Sequence, residues 1–257
     1  MINENVTCLP GVLTVYGESL AASGHQHQAL QLIWPDLASV CTLKVEGEAV
    51  VTGSHNGFLI QSNIEHELVM CKGWVILIEP QSLAGMTLAK YLQQRSVASL
   101  NLAGVTCPQP ATNLAQCLQP IFDIFNINAV SLLSSTNTGV NCFGTPLDKR
   151  IEQLLHTLNA CFDGECLKPD KWLAHDIAEG LGLSESRFLH LFKHEMGLPW
   201  RPYLLWRRLL CAIKMLSAET SATEAAHLAG FADSAHLSRT FKRLFGMTIR
   251  DALRTLS

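Results

Sequence analysis

The chain is 257 residues long, 48% hydrophobic and 16% charged, with a formal net charge of −3, a balance that fits a soluble globular protein with one modest core in each half. No window approaches the ~18 consecutive apolar residues of a membrane span, and the opening MINENVTCLPGVLTVYG carries no basic leader, so neither a span nor a signal peptide is expected and the location is the cytoplasm. Nine cysteines, an odd number without paired short spacing, argue against a disulfide framework or a zinc finger.

In chain order, short β-rich runs first alternate with turn signals. ALQLIW at 29–34 is followed by SVCTLKVEGEAVVTG at 39–53 around Glu46-Gly47, GFLIQ at 57–61 after Asn56, HELVM at 66–70, Lys72-Gly73, and WVILIEP at 74–80. About six strands at this spacing predict a small β-sandwich or barrel. Residues 83–94 and 112–125 then read as helices, the second after the break CPQPA. The breaker-rich NTGVNCFGTP sets a domain joint near 139–146, and residues 147–151 open the next helix. CFDGEC at 161–166 holds the closest cysteine pair, Cys161 and Cys166.

The C-terminal part repeats itself. IAEGLGLSESRFLHLFKHEMG at 177–197 returns as AAHLAGFADSAHLSRTFKRLFG at 225–246. An offset of 48 pairs Ala178 with Ala226 and Gly182 with Gly230; after one inserted residue an offset of 49 pairs Ser184 with Asp233, Phe192 with Phe241 and Gly197 with Gly246. Each copy reads as a short helix, a glycine turn, and a second helix capped by Ser184 or Asp233, whose short side chains accept from orphan backbone N–H groups. This is a tandem helix-turn-helix, and the second helix of each motif is the reader. Apolar residues at helical spacing turn Phe188, Leu191 and Phe192, and likewise Leu237, Phe241 and Leu244, inward. Ser186, His190 and Lys193, flanked by Arg187 and Leu189, then face outward in the first reader, and Ala235, Arg239 and Lys242 in the second. Between the copies, WRPYLLWRRLLCAIKML predicts a helical rod of roughly 25 Å, close to the ~34 Å recurrence of a major groove.

Charge divides in the same way. Residues 1–147 carry four Lys and Arg against nine Asp and Glu, net −5, whereas residues 184–257 carry eleven against six, net +5. Basic charge gathered in one terminal domain is the footprint of a nucleic-acid binder.

Residues 173–253 resemble the DNA-binding domain of the AraC/XylS family of bacterial transcription regulators, departing from it at Ile249, where proline is frequent, and at Ala225-Ala226. The resemblance implies an α+β two-domain chain, with an effector and dimerisation domain at 1–145 and a DNA-binding domain at 146–257 that is all-α. Its partners would be double-stranded promoter DNA, a small-molecule effector, RNA polymerase if the chain activates, and a second copy if it dimerises. Base contacts are implied at Ser186, Leu189, His190, Ser234, Ala235, His236 and Arg239, with phosphate contacts at Arg187, Lys193, Lys242 and Arg243. Leu189 and Ala235 can touch only a thymine methyl, which shifts hydrogen-bonded readout to His190, His236 and Arg239.

GHQHQALQL at 24–32, followed by His66, resembles a cupin, the sensor fold of many such regulators, so the N-terminal domain is expected to be a cupin-like β-barrel plus helices. If this segment is one extended strand, His25, His27 and Gln31 share a face and His66 joins them across the barrel. Three neutral imidazoles suit a divalent transition metal. Catalytic cupins place a carboxylate where this chain has Gln31, which weakens a metal and leaves a hydrogen-bonded histidine cluster lining an effector pocket as the other reading. Two function classes follow: a DNA-binding regulator, and a metal-dependent cupin enzyme with an accessory helical domain, against which Gln31 also weighs.

Overall fold

A computed structural model describes residues 5–37, 39–50, 52, 55–111, 113–133, 145–163 and 172–255. Most of the expected domain joint, and Cys166 of the close cysteine pair, lie outside the described residues. The N-terminal part holds one antiparallel sheet of eight strands: β1 (Val6–Leu9), β2 (Val12–His25), β3 (Leu30–Pro35), β4 (Cys41–Val45), β5 (Glu48–Val50), β6 (Asn56–Ile60), β7 (His66–Ile78) and β8 (Val97–Asn101). The hydrogen-bonded order is β1-β2-β7-β3-β6-β8, with β4 pairing the first half of β7 and β5 pairing β4. This path ends at β1 and β8, so the expected barrel is a cupin-like sheet that hydrogen bonds do not close.

Long strands organise it. β7 pairs β2 along nearly its whole length on one side; on the other, its first half meets β4 and its second half β3. The turn signal Lys72-Gly73 is therefore not a turn. A Cβ at Gly73 would collide with the carbonyl of Trp34, so this glycine lets the neighbouring strand come close. Glu46 and Gly47, both at positive φ, do form the tight β4–β5 turn. Against the sheet pack α1 (Leu83–Leu92), α2 (Leu114–Phe122) with its short 3-10 extension Asp123–Phe125, and α3 (Ala129–Leu133), burying Trp34, Trp74, Leu88, Phe122 and their neighbours.

The C-terminal helices are α4 (Lys149–Asp163), α5 (Ala174–Gly180), α6 (Glu185–Met196), α7 (Trp200–Ser217), α8 (Ala222–Leu228), α9 (Ser234–Phe245) and α10 (Ile249–Arg254). α7 is the expected rod. Its 18 residues span about 27 Å at ~1.5 Å per residue, and it opens with Pro199 at the cap and Pro202 in the first turn, where a missing N–H costs nothing.

Two cores are strung along this one helix. Its first half, through Trp200, Tyr203 and Leu204, closes the core of α4, α5 and α6. Its second half, through Trp206, Leu209, Leu210 and Ala212, closes the core of α8 and α9, and that core also includes Val6, Leu13 and Leu77 of the sheet. Arg207 is buried on the same helix and donates to Leu158 O (3.3 Å) and Asn159 Oδ1 (2.8 Å) of α4.

Leu209 is fully buried where helix, second motif and sheet meet. Leu209→Ala is expected to cost about 2–5 kcal/mol by leaving a cavity there, read as a lower urea midpoint with an unchanged m-value.

Candidate DNA interface and ligand pockets

The two readers, α6 and α9, are 12 residues each. Ser184 Oγ accepts from Arg187 N (3.3 Å) and Asp233 Oδ1 from His236 N (2.6 Å), while Gly197 and Gly246 close the helices at φ of 73° and 67°. Caps at both ends therefore keep the offset of 49. Gly182 and Gly230, at φ of 66° and 76°, make the turns that enter them.

Outward faces match the sequence pattern in position. Ser186, Arg187, His190 and Lys193 are exposed on α6 and Leu189 is half-buried; Ala235, His236, Arg239, Lys242 and Arg243 are exposed on α9 and Ser234 is half-buried. Inward, Phe188, Phe192, Trp200 and Tyr203 form an aromatic cluster with tilted and edge-on rings 5.0–6.2 Å apart, and Leu237 and Phe241 fill the corresponding site behind α9. His236 also packs edge-on against Phe231 at 5.3 Å, so the turn itself orients this imidazole.

The second reader touches the N-terminal sheet. Ser23 N and Oγ both donate to Gly246 O, at 3.0 and 2.7 Å, and Glu18 N donates to Thr255 O at 3.0 Å just after α10. A Cβ at Gly246 would collide with the Ser23 carbonyl. Among the described residues, the core behind the first reader contains no sheet residue.

Between the sheet and α7, α9 and α10 lies an apolar cavity of about 110 Å³, lined from one side by Leu13, Val75 and Leu77 and from the other by Ile213, Phe245 and Ile249. No lysine or arginine appears among its described lining residues; His25 and Gln31 are among its few polar ones. A second, polar interdomain cavity of about 450 Å³ contains Glu79 and Arg207, 4.0 Å apart. Burial pushes the Glu79 carboxyl above its usual range, and Arg207 opposes that rise.

His25, His27, Gln31 and His66 are all buried and meet at one place, although they do not share one extended strand. His25 ends β2, His27 lies in the connection, Gln31 is in β3, and His66 opens β7 across from His25. The candidate ligand atoms of the three histidines lie within 4.8 Å of one another. Gln31 Oε1 is 2.9 Å from His27 Nε2 and 3.2 Å from His66 Nε2. Burial, reinforced by the neighbouring imidazoles, draws His27 down to about 4 and His66 to about 3. Both are therefore neutral near pH 7. Trp206 and Phe245, which sequence reasoning did not connect to this cluster, lie 6.2 and 6.4 Å from the His27 ring; no local signal marks them, because the domain interface alone brings them there.

Paired capped readers on a common rod, joined to a ligand-sized cavity at a sheet, define a two-domain DNA-binding regulator. A helix-turn-helix domain family model matches residues 177–255. The chain is similar to the probable transcriptional regulator LumQ of Photobacterium leiognathi, 24% identical with 87% of this chain and 89% of that protein covered. It is equally similar to the uncharacterised HTH-type transcriptional regulator YidL of Escherichia coli, 24% identical over 96% and 86%. In fold it is similar to ToxT of Vibrio cholerae, as an apo point variant (TM-score 0.54, 13% identical, 96% and 98% covered) and as the wild type bound to an unsaturated fatty acid (TM-score 0.52, 17% identical, 98% and 95% covered). Residues 177–255 are therefore a helix-turn-helix domain, in a chain that is similar to transcription regulators along most of its length. Among the described residues, no helix is long and apolar enough to cross a membrane.

Gly246→Ala is expected to loosen the sheet from the second reader, because the left-handed backbone alone costs about 1–2 kcal/mol and the new methyl meets fixed backbone as well. Gly182→Ala, at a similar φ with nothing within 4 Å, reports the backbone cost alone. Thermal melts in which both variants lose the same stability would contradict the contact.

Proposed function

We propose that the chain regulates transcription in the cytoplasm by setting α6 and α9 into adjacent major-groove segments of promoter DNA, under control of a small apolar molecule held between its two domains. The observation that carries this reading is the apolar cavity whose walls come from the sheet and from the second reader's own motif. A ligand there touches the helix it would control. Polymerase contact, if the chain activates, and pairing of two copies belong to the same proposal.

Base edges would be read by Ser186, Leu189 and His190 from α6 and by Ser234, Ala235, His236 and Arg239 from α9, with Arg187, Lys193, Lys242 and Arg243 on phosphates. Arg239 is the strongest candidate for specificity, since a guanidinium bridging guanine O6 and N7 discriminates by ~1–3 kcal/mol. Arg239→Ala should relax one base position in a binding-site selection, and recovery of an unchanged motif would refute the assignment. Lys193→Ala should instead weaken every sequence alike and lower the salt slope by about 1.

Cavity size selects the ligand class. An engineered cavity of ~150 Å³ lined by aliphatic and aromatic side chains binds benzene, so a cavity of about 110 Å³ suits a compact apolar molecule. The ToxT neighbour was solved with an unsaturated fatty acid; a long chain with a carboxylate would here need the cavity to open and would find no lysine or arginine among the described lining residues. Fluorescence anisotropy on a selected operator, with monocyclic aromatics, short-chain acids and long-chain fatty acids in turn, tests this. A shift in Kd with compact apolar compounds is the expected result, and a response confined to long-chain acids contradicts the size argument.

A further inference from the structure

Each histidine of the buried cluster is held by a backbone carbonyl two residues away: His25 Nδ1 to Ser23 O at 2.8 Å, His27 Nδ1 to Ala29 O at 3.0 Å, and His66 Nδ1 to Ile64 O at 2.9 Å. A carbonyl can only accept, so these contacts put the proton of the neutral His27 and His66 rings on Nδ1 and leave Nε2 as the ligand atom, while His25, which also bonds the His66 backbone, can carry its proton on either nitrogen. Two strand ends and the connection after β2 thus bring three imidazoles to one point, and Gln31 brings its amide to the same point. The Gln31 amide can turn its NH2 toward these lone pairs, and a cation among them would instead take the imidazole nitrogens and the amide oxygen as ligands. Metal-bound histidines characteristically give their other N–H to a backbone carbonyl in this way. Three imidazoles and an amide oxygen suit zinc, cobalt or nickel better than the all-oxygen preferences of calcium or magnesium.

The cluster is also tied to the second reader. Ser23 accepts from His25 through its carbonyl and gives its N–H and hydroxyl to Gly246 O, the residue that caps α9. A Cβ at Gly246 would come within 2.8 Å of His25 Nδ1. One residue, Ser23, therefore connects the imidazole to the reader's cap.

We propose that His25, His27 and His66, completed by Gln31, bind a divalent transition metal, and that its occupancy fixes the second reader on the sheet through Ser23 and Gly246 and so changes operator affinity. The DNA part of this inference rests on the regulator reading above. The metal site does not.

The experiment uses the full-length protein stripped with a chelator and titrated with Co²⁺. The expected result is one equivalent bound, with the visible absorption of a low-coordinate nitrogen-rich site; His66→Ala should weaken binding at least tenfold. Gln31→Glu, which adds a negative charge at the same position, should tighten it at least tenfold, a gain that a misfolded variant cannot imitate. Zn²⁺ should then slow amide exchange across residues 234–246 and change Kd for a selected operator by at least fivefold, the lower end of ordinary coupling; Ser23→Ala should reduce both effects while leaving the cobalt spectrum intact. Absence of cobalt binding, or binding that Gln31→Glu does not tighten, overturns the site. Cobalt binding with unchanged exchange in 234–246 overturns the coupling. A cobalt spectrum and slowed exchange without operator binding in any state support this inference and overturn the regulator reading instead.

Discussion

Everything in the C-terminal half hangs on the burial of a single helix from both ends and on more than one side. A helix that is apolar around most of its circumference cannot be stable on a surface; α7 resolves this by giving one half to each helix-turn-helix core. The distance between the readers is then not set by a flexible tether. It is set by the length of a packed rod, and Arg207, held by the end of α4, keeps that rod from turning about its axis.

The same helix joins the domains. Trp206, Leu209 and Leu210 share a core with Val6, Leu13 and Leu77, so sheet and second motif form one apolar body, while the first motif keeps its own. This division places the cavity, the histidine cluster and the cap of α9 side by side. The sheet reaches the second reader through packed and hydrogen-bonded contacts and faces the first across the polar cavity of Glu79 and Arg207.

The readers were legible in the sequence because their chemistry is local: caps at Ser184 and Asp233, glycines at the turns, and apolar residues at helical spacing all lie within a few residues of what they control. The N-terminal strands were legible only in part. β2 contains Gly17, Ser19, Ser23 and Gly24, residues that normally mark turns and so mask the strand in the sequence. Two of these small residues are explained by contacts more than 200 positions away: Gly17 lies under Thr255, and Ser23 under Gly246. The histidines do converge as the alternation at 25, 27 and 31 suggests, but a strand break separates them, and folding brings them together through the ends of two strands and the connection after β2.

The asymmetry between the two motifs has a kinetic meaning. Among the described residues the core behind the first reader has no sheet residue, and that reader meets the N-terminal part across the polar cavity lined by Glu79, Glu195 and Met196, whereas its twin is fastened to the sheet directly by the Ser23 bonds. If the chain binds promoter DNA as proposed, a change in the sheet would act first on the residence time of the directly fastened reader, and the other would keep the protein at its site meanwhile.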